Sequence, residues 1–290
     1  MRNAWLLVTG LVWAAMMGIL VHREILPYYE FQQAPSYRAR LRDRTVPEVE
    51  RRAVYFASGR EPIGRSETLV EPLPEGGAWL RSRFTLRMSA FTPIPLAEDQ
   101  LTMSSDVRVD ADYQLAEFRL QARIQGLPVR VEAKREGEKL RTTYNLSLLG
   151  KGERVLDLPP DATISDNFLP FVGGGRLEQG KKWRLRILDL SSLASGRQEM
   201  GFTEMYATVV GREVVNVGGR DVPAWKVMVQ EQPNDEPEKW AYQLWVEEGG
   251  AVVQQLMKIN RLPCTIALEE RRELTPEQAK AFPWSIDVPR

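Results

Sequence analysis

Cysteine and histidine are almost missing from this 290-residue chain, which has one of each, Cys264 and His22. A lone thiol excludes a disulfide within the chain. One thiol and one imidazole cannot supply the several ligands of a Cys- or His-based zinc site. Cys264 reads as a small buried hydrophobe, and His22 as a solvated flank of an apolar run. The commonest general base and the commonest thiol nucleophile are thus removed together. No Gly-x-Ser-x-Gly elbow is present either, which argues against a Ser-His-Asp triad. An excess of charge of one sign is also lacking, because 39 Lys and Arg balance 39 Asp and Glu. A nucleic-acid partner normally demands a basic face. The expectation is a chain that is not an enzyme, carries no cofactor or metal, and has no nucleic-acid partner.

Two motifs invite chemistry and lack its requirements. Gly175-Arg176-Leu177-Glu178-Gln179-Gly180-Lys181-Lys182 fits a phosphate-binding loop except at its last position, where Lys182 replaces the Ser or Thr that holds Mg²⁺. The loop should open a helix, but Trp183–Ile187 alternates as a strand does. Glu247-Glu248 and Glu269-Glu270 are paired carboxylates, yet neighbours on a strand point to opposite faces. They read as solvated turn and edge charges rather than the converging acids of a glycosidase.

The sequence does have an uninterrupted apolar run. Ala4–Val21 contains no charged residue, which is long enough for a transmembrane helix candidate. Trp5, Leu6, Leu7, Leu11, Trp13, Met17, Ile19 and Leu20 are its expected lipid-facing anchor residues. Trp5 near one end and Tyr28-Tyr29 beyond the other suit the aromatic interface belts. A cleaved signal peptide is the rival reading. Against it, the run exceeds the usual apolar core of such peptides, and no small-x-small site ends it. Counting Lys and Arg near the run leans toward a cytoplasmic C-terminal domain. The short leader instead has the shape of a signal anchor, which places that domain outside.

After the run, period-two alternation dominates. Phe84, Leu86 and Met88 share one face of Arg81–Met88, with Arg83, Thr85 and Arg87 on the other. Tyr113–Ile124, Val129–Lys134, Leu140–Leu148 and Trp183–Ile187 alternate too. Glycine turns separate them, at Gly76-Gly77, Gly126, Gly137, Gly150, Gly218-Gly219 and Gly249-Gly250. One apolar and one wet face per strand implies antiparallel pairing in up-and-down order. Whether the strands make one sheet or two stays open. Long helical periods are absent, and Thr275-Pro276-Glu277-Gln278 is the clearest helix start. The expected organisation is mainly β: a transmembrane anchor at 1–26, a linker at 27–50, an antiparallel β domain at 51–273, and a short C-terminal helix and tail at 274–290. Trp79, Trp183, Trp225, Trp240 and Trp245 read mostly as core. Some of them, with Phe84, Leu86, Met88, Leu101 and Met103, could line an apolar groove, for which Met is well suited.

Several stretches resemble, in order, an uncharacterised bacterial envelope domain that is sometimes found ahead of transglutaminase domains. They are Gly59–Gly64 (GREPIG), Gly180–Trp183 (GKKW), Val209–Glu213 (VVGRE), Val215–Arg220 (VNVGGR), Val222–Val227 (VPAWKV) and Trp245–Val252 (WVEEGGAV). Glu247 stands where the pattern has Asp. The resemblance covers about residues 50–270 and includes no catalytic residue. It implies an elongated, curved antiparallel sheet similar to periplasmic lipoprotein carriers. The resulting expectation is a single-pass protein of the bacterial inner membrane with its C-terminal domain in the periplasm. It would act as an accessory or scaffold subunit contacting envelope proteins, or else bind lipid or lipoprotein acyl chains.

Overall fold

The computed structural model of the protein describes residues 12–33, 41, 44–56, 59, 61–91, 98–124, 126–147, 150–159, 162–163, 176–189, 201–233, 235–236, 238–259 and 262–282. The first half contributes β1 (Gln32–Gln33), β2 (Glu48–Phe56), β3 (Gly64–Pro72), β4 (Ala78–Arg87) and β5 (Gln100–Val109). It continues with β6 (Leu115–Ile124), β7 (Leu127–Glu136), β8 (Lys139–Leu146) and β9 (Gly150–Asp157). The second half holds β10 (Ala162–Thr163), β11 (Lys182–Asp189), β12 (Gly201–Val217), β13 (Arg220–Gln230), β14 (Trp240–Val246), β15 (Val252–Ile259) and β16 (Leu262–Glu273).

All sixteen strands belong to one sheet, in the order β1-β11-β12-β13-β14-β15-β16-β2-β3-β4-β5-β6-β7-β8-β9, with β10 also on β11. The two-residue strands β1 and β10 lie parallel to β11. The other fourteen are antiparallel, which settles the choice between one sheet and two. The last strand pairs with the first long one, β16 with β2. The two meanders, β2–β9 and β11–β16, are therefore joined in the middle of the sheet rather than at the crossover.

Geometry requires this sheet to curl. Fourteen strands laid flat would be about 60 Å across, at about 4.8 Å per ladder. Yet β9 ends at Asp157, and Ala162 already pairs with Arg186 on β11, at the opposite edge. Five Cα steps span at most about 19 Å, and a turn from Ala162 N to Pro159 O shortens the reach further. The two edges must lie close together. Consistently, Leu188 of β11 packs in one apolar cluster with Leu80, Val107, Phe118 and Leu140 of the other meander. Because β9 and β11 do not pair, the sheet is an open, barrel-like trough.

Inner and outer faces follow from the register. Val54, Phe84, Leu86, Ile266 and Cys264 point inward at one end of β2–β5 and β16. The alternating burial of Ala78–Arg87 shows the period-two rule without exception. Outside, Val49 and Leu69 are capped by Leu274, Ala279 and Phe282. Ala279 lies on the helix Pro276–Lys280, with Leu274 and Phe282 flanking it. Its capping box is complete: Gln278 N donates to Thr275 Oγ1 (3.3 Å), and Thr275 N donates to Gln278 Oε1 (2.9 Å).

Across the inner face runs a polar row that the alternation alone does not announce. Glu50, Thr68, Ser82 and Ser105 are cross-strand neighbours from β2 to β5, and Thr68 Oγ1 lies 2.9 Å from Ser82 Oγ. Glu50 and Arg52 are each only 1% exposed. Arg52 donates through Nη2 to Glu50 Oε2 (2.6 Å) and through Nη1 to Val252 O (2.7 Å). Arg271 of β16 bridges Glu48 (3.1 Å) and Glu247 (2.6 Å), while Arg44 reaches Glu48 (3.1 Å). The network ties the β14–β15 turn, β16, β2 and the segment before β2 together at one end of the trough.

Only part of the expected N-terminal anchor falls within the described residues. Trp5, Leu6, Leu7 and Leu11 lie outside the described residues. Residues 12–20 are α-helical, Val21–Ile25 is a π turn and Leu26–Glu30 an α turn. Among the described residues, no helix is long and apolar enough to cross a membrane. The apolar run ends at Val21, and the polar residues from His22 onward fall in the π turn. Trp13, Met17, Ile19 and Leu20 are nevertheless exposed. Within the expected linker, Phe31 and Leu41 are buried against the sheet domain.

Removing one partner of a buried, hydrogen-bonded ion pair strands the other, at a cost of about 3–5 kcal/mol, whereas replacing both with apolar groups costs far less. Glu50→Gln or Arg52→Met should each lower stability by about that much, and Glu50→Leu/Arg52→Met by clearly less. Urea unfolding of the three variants checks this. Single-variant losses under about 1 kcal/mol would mean that the pair does not hold the seam.

Candidate functional site

The end of the trough opposite the ion-pair network is apolar and open. Antiparallel alternation puts the β2–β3, β4–β5, β13–β14 and β15–β16 turns at this same end. The candidate groove residues split there into two groups. Phe84 and Leu86 are 2% and 4% exposed and belong to the core, with Val54, Ile63, Met257, Cys264 and Ile266. Met88, Leu101 and Met103 are half-buried against that core, together with Phe56, Phe91 and Tyr242. Register brings four of the five together, since Phe84 faces Met103 and Leu86 faces Leu101 across β4 and β5, and Met88 packs against the same cluster. Gly64 permits the close wall: a Cβ there would sit 2.5 Å from Thr85 O and 2.9 Å from Leu86 Cδ1.

Sequence reasoning missed Phe56 and Phe91, whose rings meet edge-on at 5.2 Å. Phe56 is the last residue of β2, and its inward direction could have been read by extending the parity of Val54. Phe91 lies in a turn, where no period applies. A surface cleft of about 660 Å³ opens beside Phe56 and Ile63 at this mouth, and one of about 310 Å³ lies next to it on the side of the sheet that carries Arg65, Thr85 and Arg87. Toward the opposite end, the groove stops at the polar row of Glu50, Thr68, Ser82 and Ser105, about 13 Å from Leu86 at about 3.3 Å per strand residue.

A continuous register row links this groove to the N-terminal segment. Gln32 is beside Trp183, then follow Ala207, Val229, Tyr242, Met257, Cys264 and Phe56. The segment before β1 docks on the outer face. Tyr206 receives Phe31 edge-on at 5.0 Å and Tyr28 at 5.6 Å. Glu30 forms an ion pair with Lys182, which holds the Glu30 carboxyl below its usual pKa. Tyr28 Oη donates to Gln232 Oε1 (2.9 Å) in the β13–β14 turn. The N-terminal segment therefore reaches the same end of the strands as the groove mouth.

The other residues singled out above play structural roles. Trp183 and Trp245 are buried. Trp79, Trp225 and Trp240 are half-buried under cations, with Arg212 4.5 Å from the Trp225 ring and Lys258 4.5 Å from that of Trp240. The paired glutamates are dispersed among separate partners. Glu247 binds Arg271, Glu248 binds Arg212 (3.0 Å), Glu270 binds Arg51 (3.0 Å), and Glu269 accepts from Tyr55 (3.4 Å). Gly180 occupies a turn with φ of 82° that leads straight into β11. Among the described residues, no group of His, Cys, Asp and Glu could hold a metal ion.

No protein-family model matches the sequence, and no curated protein matches it. Among solved structures, the chain is similar to a β-barrel-like protein of the DUF1849 domain from Brucella abortus, at 15% identity and a TM-score of 0.49, over 80% of this chain and 99% of that one. It is also similar to a DUF1089-family protein from Pseudomonas aeruginosa (16% identity, TM-score 0.38, 69% and 92%). A third similarity is to the hypothetical lipoprotein YmcC from Escherichia coli (11% identity, TM-score 0.30, 90% and 96%).

Burial beneath Phe31 and Tyr28, with the hydrogen bond to Glu204, raises the Tyr206 phenol from an ordinary 10 to about 12. A raised folded value adds stability that is full below pH 10 and is lost as pH rises through 10 to about 12. Phe31→Ala should uncover Tyr206 and bring its titration back toward 10, read as phenolate absorbance against a Tyr206→Phe control. An unchanged Tyr206 component would show that the segment does not dock in solution.

Proposed function

We propose that this protein is a non-enzymatic envelope module, tethered by its N-terminal segment, that receives a lipid acyl chain in the groove between β2–β5 and β16. The observation that carries this reading is the half-buried apolar mouth of Phe56, Met88, Phe91, Leu101 and Met103 at the strand end reached by the N-terminal segment. Monomeric soluble proteins rarely leave contiguous apolar surface uncovered without a partner. Methionine and aromatic side chains adapt to flexible chains of varied length. The polar row behind the groove sets a floor, because an apolar chain gains nothing by advancing onto Glu50 and Ser82.

The tether rests on the exposed apolar residues of the described helix, Trp13 at 65% and Ile19 at 67% among them. In water such a surface is costly, whereas in hydrocarbon it is at home. A location at the bacterial inner membrane, with the β domain in the periplasm, is part of this proposal.

One observation favours a second reading, an accessory subunit that contacts other envelope proteins. Among the described residues β9 pairs only with β8, and most of its residues are exposed. An open strand edge can accept a strand from a partner, although Lys151, Glu153 and Arg154 blunt it against indiscriminate pairing.

Native mass spectrometry of the full-length protein, extracted in mild detergent, tests both readings. The acyl-chain reading expects lipid adducts that Leu101→Glu/Met103→Glu abolishes while the circular dichroism of the sheet is retained. Adducts that persist in that variant, or a lipid-free wild type, would overturn it. Co-extraction of a stoichiometric protein partner, lost when a proline is placed at Glu153, is the result expected of the accessory reading. Recovery of free monomer alone would remove that reading.

A further inference from the structure

The strand end that holds the groove mouth also carries side chains suited to a bilayer interface, on the arc from β13 to β16. Just mouthward of the row through Val229, Tyr242, Met257 and Cys264, Trp240 faces Gln230 and Lys258 faces Pro263. Lys258 Nζ lies 4.5 Å from the centre of the half-buried Trp240 ring. Leu262 comes next, beside the β15–β16 turn, and is 41% exposed. It precedes Cys264 by two residues, so both point to the inner face, where Cys264 meets Phe56 of the groove. On the other flank, the N-terminal segment arrives at the same level through Tyr28 and Gln232, and the neighbouring Tyr29 is 81% exposed. The β13–β14 turn between them is fixed, because Gln230 Nε2 donates to Asp235 O (2.9 Å) and Glu236 O (3.1 Å).

Chain length limits how far this arc can stand from a membrane. On the tether reading above, the apolar run meets the hydrocarbon edge at Val21. Residues 12–30 are helical, and the seven steps from Val21 to Tyr28 rise at most about 11 Å. The headgroup layer is about 5–8 Å deep on each side of a bilayer. Tyr28, and the β13–β14 turn that it binds, are thereby held at that layer. We propose that the strand ends of β13–β16 rest on the surface of a zwitterionic phospholipid bilayer, with Tyr29, Trp240 and Lys258 among the headgroups and Leu262 at the acyl boundary. This rests on the tether and acyl-chain readings and adds the route, since a chain can pass from the bilayer over Leu262 to Phe56 without crossing water. Trp and Tyr favour the interface because each has an apolar body and a polar tip, and Lys reaches the phosphates along an aliphatic stem. Glu231, Glu236 and Glu238 of the β13–β14 turn are exposed. They stay hydrated among the headgroups and set the lipid class, because an anionic surface repels them. The contact is confined to this arc, and the β2–β3 turn with Glu61 is left in water.

Fluorescence quenching of the full-length protein in phosphatidylcholine nanodiscs tests this. A polarity-sensitive dye is attached at Leu262→Cys, and for comparison at Arg220→Cys in the β12–β13 turn of the opposite end; Cys264 is buried and stays unlabelled. The dye at 262 should emit to the blue of the dye at 220 and be quenched by lipid with a nitroxide near the top of its acyl chain. The dye at 220 should be quenched by aqueous iodide alone. Trp240→Ala/Lys258→Gln should reduce the lipid quenching at 262, and so should exchange of phosphatidylcholine for phosphatidylglycerol. Iodide quenching at 262 equal to that at 220 would overturn the bilayer contact, and lipid adducts in native mass spectrometry would then still support the acyl-chain reading. A dye at 262 shielded from both quenchers would indicate a protein partner and overturn the contact equally. Lipid quenching as strong in phosphatidylglycerol would overturn the lipid class. A full-length protein that does not enter nanodiscs would overturn the tether reading itself.

Discussion

The pairing of β16 with β2 is the constraint on which the rest of the structure depends. Each half of the chain is a meander of neighbouring hairpins, which local turns are enough to direct. Among the long strands only this ladder joins the halves into one sheet, and it unites residues more than 200 positions apart. Such closure forfeits chain entropy before any contact repays it. The seam is reinforced to match: Val54, Ile266 and Cys264 are buried at one end, and the Glu50–Arg52–Arg271 network is set at the other. Buried ion pairs contribute little net stability compared with apolar packing, but they penalise wrong registers heavily. A one-residue slip of β2 would turn Glu50 and Arg52 outward and leave Val252 O and Arg271 without them. Specifying register at the one non-local ladder between long strands is a physical use for charges that would otherwise be a poor choice for a core.

The polar row has a second consequence. Along β2–β5 it separates two apolar stretches of the inner face. The cluster around Leu80, Phe118 and Leu140 is buried, with Leu41 and Leu188 packed into it. The cluster around Phe84 and Leu86 lies on the far side of the row and thins out toward the mouth. On the acyl-chain reading proposed above, stability and binding fall on different stretches of the same strands. The buried band holds the trough together, and the open band is not required to do so. Apolar side chains at the mouth can therefore remain half-buried without threatening the fold.

The N-terminal segment and the groove mouth meet the same end of the strands for a topological reason. Tyr28 touches the β13–β14 turn, and alternation then fixes which other turns share that end. The charged lock, with the β14–β15 and β3–β4 turns, is left at the opposite end. Whatever the N-terminal segment adheres to is thus presented to the groove and not to the ion pairs.

Much of this protein was legible in its residues. Period-two alternation from Arg81 to Met88 identified strand and face together, because side chains on a strand can point only two ways. Thr275-Pro276-Glu277-Gln278 carried its own helix start, since a capping box is a local hydrogen-bond pattern. Phe84, Leu86 and Met88 could be read onto one face, and Phe84 faces Met103 and Leu86 faces Leu101 across β4 and β5. Other features could not be read there. That β16 closes on β2, that the edges β9 and β11 approach, and that Phe84 is core while Met103 stays half-open are decided by contacts distant in sequence. Glu50 and Arg52 look like ordinary surface charges until the seam buries them. The sequence by itself determined the strands, their faces and the scarcity of reactive groups, because these depend on neighbours a few residues apart. Only the tertiary structure decided the curl, the seam and the place where apolar surface is left uncovered, because these depend on which distant strands pair.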